Sequence, residues 1–240
     1  MTTIPIALEQ PHTPRRRYGQ RTATLSAAEA LRRLLNFAIA LIGLVLALPL
    51  LLLIGLAVKL SSRGPVLYTQ ARVGLNRRRQ LPPGARYRET DCGGRPFTIY
   101  KFRTMRVNGH GPEDPGQIWA TPDDPRVTRV GRFLRLYRLD ELPQLVNVLL
   151  GDMDIVGPRP EQPAIFTRLR EQIPGYPERQ RVRPGITGWA QVNQHYDSSI
   201  EDVRKKLAVD LEYIDRRSIT EDLRIMLRTF PVIAGKCGAW

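Results

Sequence analysis

Residues Leu139 to Pro160 read LDELPQLVNVLLGDMDIVGPRP. Asp140 and Glu141 stand side by side at the head of an apolar-periodic segment, and the stretch closes on Gly157-Pro158-Arg159-Pro160, a stiff turn holding one arginine. Leu139, Leu142, Val146, Leu149 and Leu150, with Leu145 beside them, recur at helical spacing, so the segment reads as a helix with one buried face. Pro143 is tolerated in a first turn, where its missing N–H has no partner to lose. The helix is therefore expected to start near Asp140, with both carboxylates at the positive end of its dipole, which favours their ionised forms. Two readings stand open at this point. Asp140 is an ordinary N-cap and Glu141 an ordinary first-turn acid, or the pair works as a nucleophile, a base or a metal ligand.

The residues leading into this stretch are basic. Arg129, Arg132, Arg135 and Arg138 recur at every third position, a basic stripe if helical. Farther upstream, Pro96 to Phe102 reads as a strand, with Lys101 and Arg103 at strand spacing on one face. Two cations on one face form either a phosphate clamp or an exposed strand surface. A partner strand is expected around Val66 to Gln70, which makes 76–95 a loop insertion in a small hairpin.

Downstream, Val182 to Asn193 reads VRPGITGWAQVN. Arg183 offers a fork of donors, Trp189 a stacking face, and Gln191 and Asn193 amide hydrogen bonds. These suit a nucleotide, and a packed loop uses the same residue types. Ser199 to Arg216 and Ile219 to Val232 read as amphipathic helices that either close the core or lie at a membrane surface.

The 240 residues suffice for one domain with an appendage. Lys and Arg total 37 against 23 Asp and Glu, a net charge of +14, which implies an anionic partner. Nucleic acid is disfavoured: only 7% of residues are aromatic and no recognition module is present. Anionic lipid and phosphorylated substrates remain. Cys92 and Cys237 lie far apart without metal-ligand spacing, so the chain reads as reduced and cytosol-facing.

Phe37 to Val58 is an uncharged run of 22 residues. As a helix it would reach about 33 Å, enough for a bilayer core. Pro49 at its middle removes a backbone hydrogen bond and imposes a kink. Arg32 and Arg33 precede the run, and Lys59 and Arg63 follow it. Basic residues on both sides give no orientation for a span. A helix that bends at Pro49 and returns to the same face satisfies both flanks, and a simple span is the alternative.

In order, the chain carries an apolar segment with a central proline, then RVGL, IYKFRTM, DELPQLVNVLLGDM, VGPRP, RPGITGWAQVN and DLEYI. This series resembles the bacterial sugar transferase family, the monotopic phosphoglycosyl transferases, from about Arg33 to Phe230. The resemblance implies an α+β, mainly helical fold. It implies a re-entrant membrane helix bent at Pro49 (residues 31–60), a small β-hairpin and amphipathic interfacial helices. Residues 1–30 would form a flexible basic arm and 61–240 the catalytic domain, a minimal single-domain form. The implied reaction moves a sugar 1-phosphate from a UDP-sugar to undecaprenyl phosphate with Mg2+, releasing UMP. Its place would be the cytoplasmic face of the inner membrane, with membrane lipid as a partner and downstream glycosyltransferases extending the product. By the same resemblance Asp140 is the nucleophile, Glu141 helps hold Mg2+ with Asp140 or handles a proton, and Lys101, Arg103, Arg135, Arg159 and Arg183, with Trp189 and Gln191, bind substrate. The chain departs from the family pattern at Leu48, where serine is usual, at Asn36, where aspartate is usual, and at Gln194-His195 after the GWAQVN motif.

Overall fold

The computed structural model describes residues 27–76, 93–107, 124–193 and 199–235. The arm as far as residue 26, most of the 76–95 insertion, Gln194, His195 and both cysteines lie outside them.

Helix α1, Ala27–Ser61, is assembled from leucine, alanine and isoleucine and runs without interruption through Pro49. It is the one helix among the described residues long and apolar enough to cross a membrane, and only 11% of its most apolar window is buried. Leu46, Leu52 and Leu53 point outward, each at least 65% exposed. The buried positions are confined to one stripe at each half: Arg32, Asn36 and Ala40 before Pro49, Ile54 and Val58 after it. Ala40 packs with Phe97, Ile99, Val148 and Met153, whereas Ile54 and Val58 pack with Phe102 and Leu134. Both halves of α1 thus rest on the same domain, and the rest of its surface is apolar and open.

Strands β1 (Leu67–Val73) and β2 (Pro96–Phe102) pair antiparallel, from Leu67 opposite Phe102 to Val73 opposite Pro96. This is the expected hairpin. A second pair is parallel and very short: β3 (Asp154–Val156) beside β4 (Gly185–Thr187). Helix α2, Arg129–Leu136, starts at Thr128, whose side chain accepts from the Gly131 amide. A β-carbon at Gly131 would collide with the Thr104 carbonyl, so glycine is what lets α2 lie directly on the chain leaving β2.

The stretch quoted at the outset is divided differently from the expectation. Leu139–Glu141 forms a single 3-10 turn, and helix α3 proper is Gln144–Leu150. The physical reason sits at both ends of the turn. Arg138 adopts a left-handed φ of 53°, which breaks the path out of α2. Pro143 lacks the N–H a continuous helix would use. Asp140 and Glu141 therefore sit on a turn wedged between two helices.

Gly151, at φ 87°, ends α3 with its amide on Asn147 and Val148 carbonyls. Two arginines cap the same end: Arg33 Nη2 donates to Leu149 O at 3.0 Å and Arg183 Nε to Gly151 O at 3.1 Å. Just beyond this end, Met153 is fully buried against α1 and β2.

The remaining helices are α4 (Pro163–Gln172), α5 (Trp189–Asn193), α6 (Ile200–Arg216) and α7 (Ile219–Ala234). Helices α4 and α6 enclose a core of Phe166, Leu169, Tyr176, Val203 and Leu207. Tyr213, Ile214 and Ile225 join α6 and α7 over β3. On α7 the outward residues Leu223, Leu227 and Phe230 are exposed.

Candidate active site

The site grows from one buried amide. Asn147, on the inner face of α3, donates from Nδ2 to Thr98 O at 2.7 Å and accepts at Oδ1 from Tyr100 N at 3.1 Å. It is wholly buried. These bonds lock α3 to the edge of β2, which brings the end of that strand against the turn before α3. Lys101 Nζ then lies 2.9 Å from Glu141 Oε1. Arg159, from the Pro158–Pro160 turn, reaches the same carboxylate: Nη2 is 2.8 Å from Oε1 and Nη1 3.4 Å from Oε2.

Arg159 is itself held from behind. Arg179, 4% exposed, donates to the Arg159 carbonyl at 3.1 Å, pairs with Asp210 at 2.8 Å, and donates to the Tyr176 hydroxyl at 2.7 Å. Arg72 donates to the Pro160 carbonyl at 3.1 Å. Glu161 lies between Arg179 and Lys206, and although its burial works against ionisation, Lys206 and Arg179 lower its pKa to about 2. The arginine that meets Glu141 is therefore carried on a turn clamped by buried ion pairs.

The two acids differ sharply. Burial alone would raise the pKa of Glu141, but Arg159 and Lys101 outweigh it and hold the carboxyl well below the usual range. Asp140 goes the other way. Burial, and then the negative charge of Glu141, push it up to about 6 despite Lys101, Arg135 and Arg159 nearby. No hydrogen bond or ion pair to another described residue engages the Asp140 carboxylate. Burial pulls the Lys101 pKa down, and Glu141 offsets this in part. One acid is thus neutralised by cations while its neighbour stays unengaged, basic for a carboxylate and still mostly ionised at neutral pH. A carboxylate of that kind is suited to attack an electrophile.

Of the basic residues expected to bind substrate, Lys101 and Arg159 meet at Glu141, and Arg135 lies within electrostatic reach of Asp140, its Nε on Thr104 Oγ1 at 2.9 Å. Arg103 turns away. Its guanidinium is buried against the end of α1, donating to Ser62 O at 2.6 Å and Arg63 O at 2.7 Å. The strand ends at Phe102, so the alternation that would have put Arg103 beside Lys101 no longer applies.

Arg183 is at the far end of α3, separated from Glu141 by the length of that helix, about 10 Å. It pairs with Glu29 in a buried cluster that also contains Arg217–Asp154 (2.6 Å) and Arg32–Asp222 (3.0 Å). Asn36 adds to this tether, accepting from Ile155 N at 2.6 Å and donating to Arg32 O at 2.9 Å. The amide that replaces the family's usual aspartate uses both of its functions. Trp189 packs in the core over β3, with the Arg228 guanidinium 5.1 Å from its ring centre. Gln191 donates to Ile186 O at 3.2 Å and lines a cavity beside Glu141.

That cavity holds about 140 Å³ and lies between α3, β4, α5 and the end of α7. Arg138 and Glu141 border it, and Leu142, Leu145, Ile186, Val192, Val232 and Ile233 make its walls apolar.

Asn147, Arg179 and Asp210 had not been singled out from the sequence. The one available signal was Asn147, an amide breaking the leucine-rich face of α3. Nothing in the spacing of Arg179 and Asp210 joins them.

Among the described residues no group of three acidic, histidine or cysteine side chains gathers to form a metal cage. Asp140 and Glu141 are the adjacent acids in the site, and the Glu141 oxygens already accept from Lys101 and Arg159, so Asp140 is the carboxylate left open to a cation that takes its other ligands from water and phosphates.

A long apolar helix lies on a small helical domain, and beside it two cations neutralise Glu141 next to an unengaged Asp140, an arrangement consistent with a membrane-associated protein. A model of the bacterial sugar transferase family matches residues 27–236, and the chain belongs to that family. It is 42% identical over 201 residues to the UDP-glucose:undecaprenyl-phosphate glucose-1-phosphate transferase of Escherichia coli (strain K12), covering 83% of this chain and 39% of that protein. The protein of the same description from Caulobacter vibrioides is 44% identical over 207 residues, 85% of this chain and 70% of its own length. The Aeromonas hydrophila UDP-N-acetylgalactosamine-undecaprenyl-phosphate N-acetylgalactosaminephosphotransferase is 40% identical over 209 residues, 87% of this chain and 45% of that protein. The chain thus spans under half the length of two of these three relatives.

Proposed function

We propose that this chain is a phosphoglycosyl transferase that moves a sugar 1-phosphate from a UDP-sugar to undecaprenyl phosphate. The observation that carries the reading is the unengaged Asp140 carboxylate, raised to about 6, next to a Glu141 neutralised by Lys101 and Arg159. The relatives named above act on UDP-sugars and undecaprenyl phosphate, in keeping with it.

The chemistry runs in two displacements. An Asp140 oxygen attacks the sugar-bearing phosphorus, the bond from that phosphorus to the bridging oxygen breaks, and the electron pair leaves with UMP. A phosphate oxygen of undecaprenyl phosphate then attacks the same phosphorus and returns Asp140 as a free carboxylate. Lys101, Arg135 and Arg159 offset the charge gathered on the phosphoryl oxygens, and a dry site strengthens that effect. Asp140 and Glu141 would hold Mg2+, whose chemistry when bound is further neutralisation of that charge. Glu141 stays ionised and keeps both cations in place.

In this reading α1 is re-entrant. Its two halves bury side chains on the same domain, and Arg103 donates to the Val58 carbonyl near its C-terminal end and to the Ser62 and Arg63 carbonyls just beyond it. A span would carry one end away from the domain. Bending at Pro49 lets the open apolar surface enter one leaflet while the exposed Lys59 and Arg63 stay at headgroups. The product would form at the cytoplasmic face of the inner membrane. The relatives differ in sugar, so the donor is left as a UDP-sugar.

The test is UMP release from a panel of UDP-sugars, with and without undecaprenyl phosphate and Mg2+. Acceptor-dependent release with one donor supports the assignment; no release with any donor contradicts it.

A further inference from the structure

We infer that the cavity beside Glu141 is the seat of the first isoprene units of the acceptor; the inference rests on the transferase reading above. Of the two substrates, the donor is polar throughout, with uracil, ribose, diphosphate and sugar. The acceptor alone carries hydrocarbon directly next to its phosphate. The cavity has the matching gradient. At one end stand Glu141 and Arg138, beside the Lys101 and Arg159 cations. Leu142, Leu145, Ile186, Val192, Val232 and Ile233 make up the rest. Of its remaining polar side chains, the Thr187 and Thr229 hydroxyls bond to each other at 2.8 Å and Gln191 donates to Ile186 O, which leaves Gln191 Oε1 as a buried acceptor without a partner. One such acceptor pairs few of the hydroxyls or amides of a sugar or a base, and the apolar walls would leave the others unpaired.

The position agrees with the gradient. The outer wall is the last turns of α7, whose opposite side exposes Leu223, Leu227 and Phe230. The floor residue Leu145 borders the space that a β-carbon on Gly43 of α1 would fill, and α1 is the helix with the open apolar surface. A prenyl chain leaving the cavity over α7 or α1 meets apolar side chains continuously. Its phosphate, at the other end, lies beside Asp140. Val232 and Ile233 thereby become selectivity residues for the acceptor, a role apart from the donor-binding cations.

The experiment is steady-state kinetics on the full chain in undecaprenyl phosphate–containing vesicles. Val232→Trp fills the cavity from the last turn of α7, and Ile233→Trp does so from the next position should the first fail to fold. The expected result is a rise of tenfold or more in KM for undecaprenyl phosphate against less than a twofold change in KM for the UDP-sugar. An unchanged acceptor KM in an active, folded variant overturns the inference and leaves the transferase reading standing. A parallel rise in the donor KM assigns the cavity to the donor and also overturns it. A wild-type chain that releases no UMP removes the transferase reading, and the cavity's occupant with it.

Discussion

Lys101 Nζ and Glu141 Oε1 are 2.9 Å apart, and both side chains are nearly sealed from solvent. Breaking such a pair by removing one partner leaves an uncompensated buried charge, typically costing about 3–5 kcal/mol. Glu141→Leu is expected to destabilise the fold on that scale and to abolish turnover. Adding Lys101→Met should recover much of the lost stability and none of the activity. Chemical denaturation of the two single variants and the double variant checks this; additive losses would deny the coupling.

Turnover should follow the ionisation of Asp140. With its pKa near 6, the rate is expected to hold above about pH 7 and to fall close to tenfold per pH unit well below 6. Glu141, held well below its usual range by Arg159 and Lys101 against the effect of burial, stays charged across this window and contributes no second step. A pH–rate profile under saturating donor, with buffer and detergent fixed, reads this directly.

The same shift makes a stability prediction of opposite sign to the usual carboxylate. The folded pKa of Asp140 lies above its ordinary value of 3.8, so the folded chain binds this proton more tightly than the unfolded chain does. Its stabilising contribution is present below about pH 4 and disappears as pH rises through 6. At neutral pH the ionised group is a liability of up to about 3 kcal/mol. Asp140→Asn should therefore raise Tm by several degrees at pH 7.5 and little at pH 4. An unchanged Tm at both values would contradict the burial assigned to this carboxylate.

Much of this was legible in the sequence because it was local. The apolar run of α1, the hairpin strands and the amphipathic faces of α6 and α7 follow from hydrophobic period and charge. The start of α3 was not, since the Arg138 left-handed turn is set by packing between α2 and α3 and has no residue signature such as glycine. Strands β3 and β4 are too short to show alternation. The family resemblance implies substrate contacts at Arg103 and Arg183. Tertiary structure aims them elsewhere, at the C-terminal ends of α1 and α3. The Arg179–Asp210 clamp joins residues 31 apart and carries no local signal.

That clamp gives a prediction about positioning. Arg179 touches no part of the proposed reaction but holds the Arg159 carbonyl. Arg179→Lys keeps the charge and loses the fork that meets Asp210, Tyr176 and Arg159 together. The expected outcome is a fall in kcat of tenfold or more with the variant still folded at the assay temperature. A merely structural role would lower Tm and leave the kcat of the folded fraction unchanged, so active-site titration by burst UMP release separates the two.

The central claim is that Asp140 carries the phosphosugar between donor and acceptor. Incubating the chain with its UDP-sugar in the absence of undecaprenyl phosphate, then quenching in acid and mapping peptides by mass spectrometry, tests it most directly. The account predicts one sugar-phosphate adduct on Asp140, formed together with an equal amount of UMP, discharged by added undecaprenyl phosphate, and absent from Asp140→Asn. An adduct on another residue, or acceptor-dependent turnover surviving in Asp140→Asn, would contradict it.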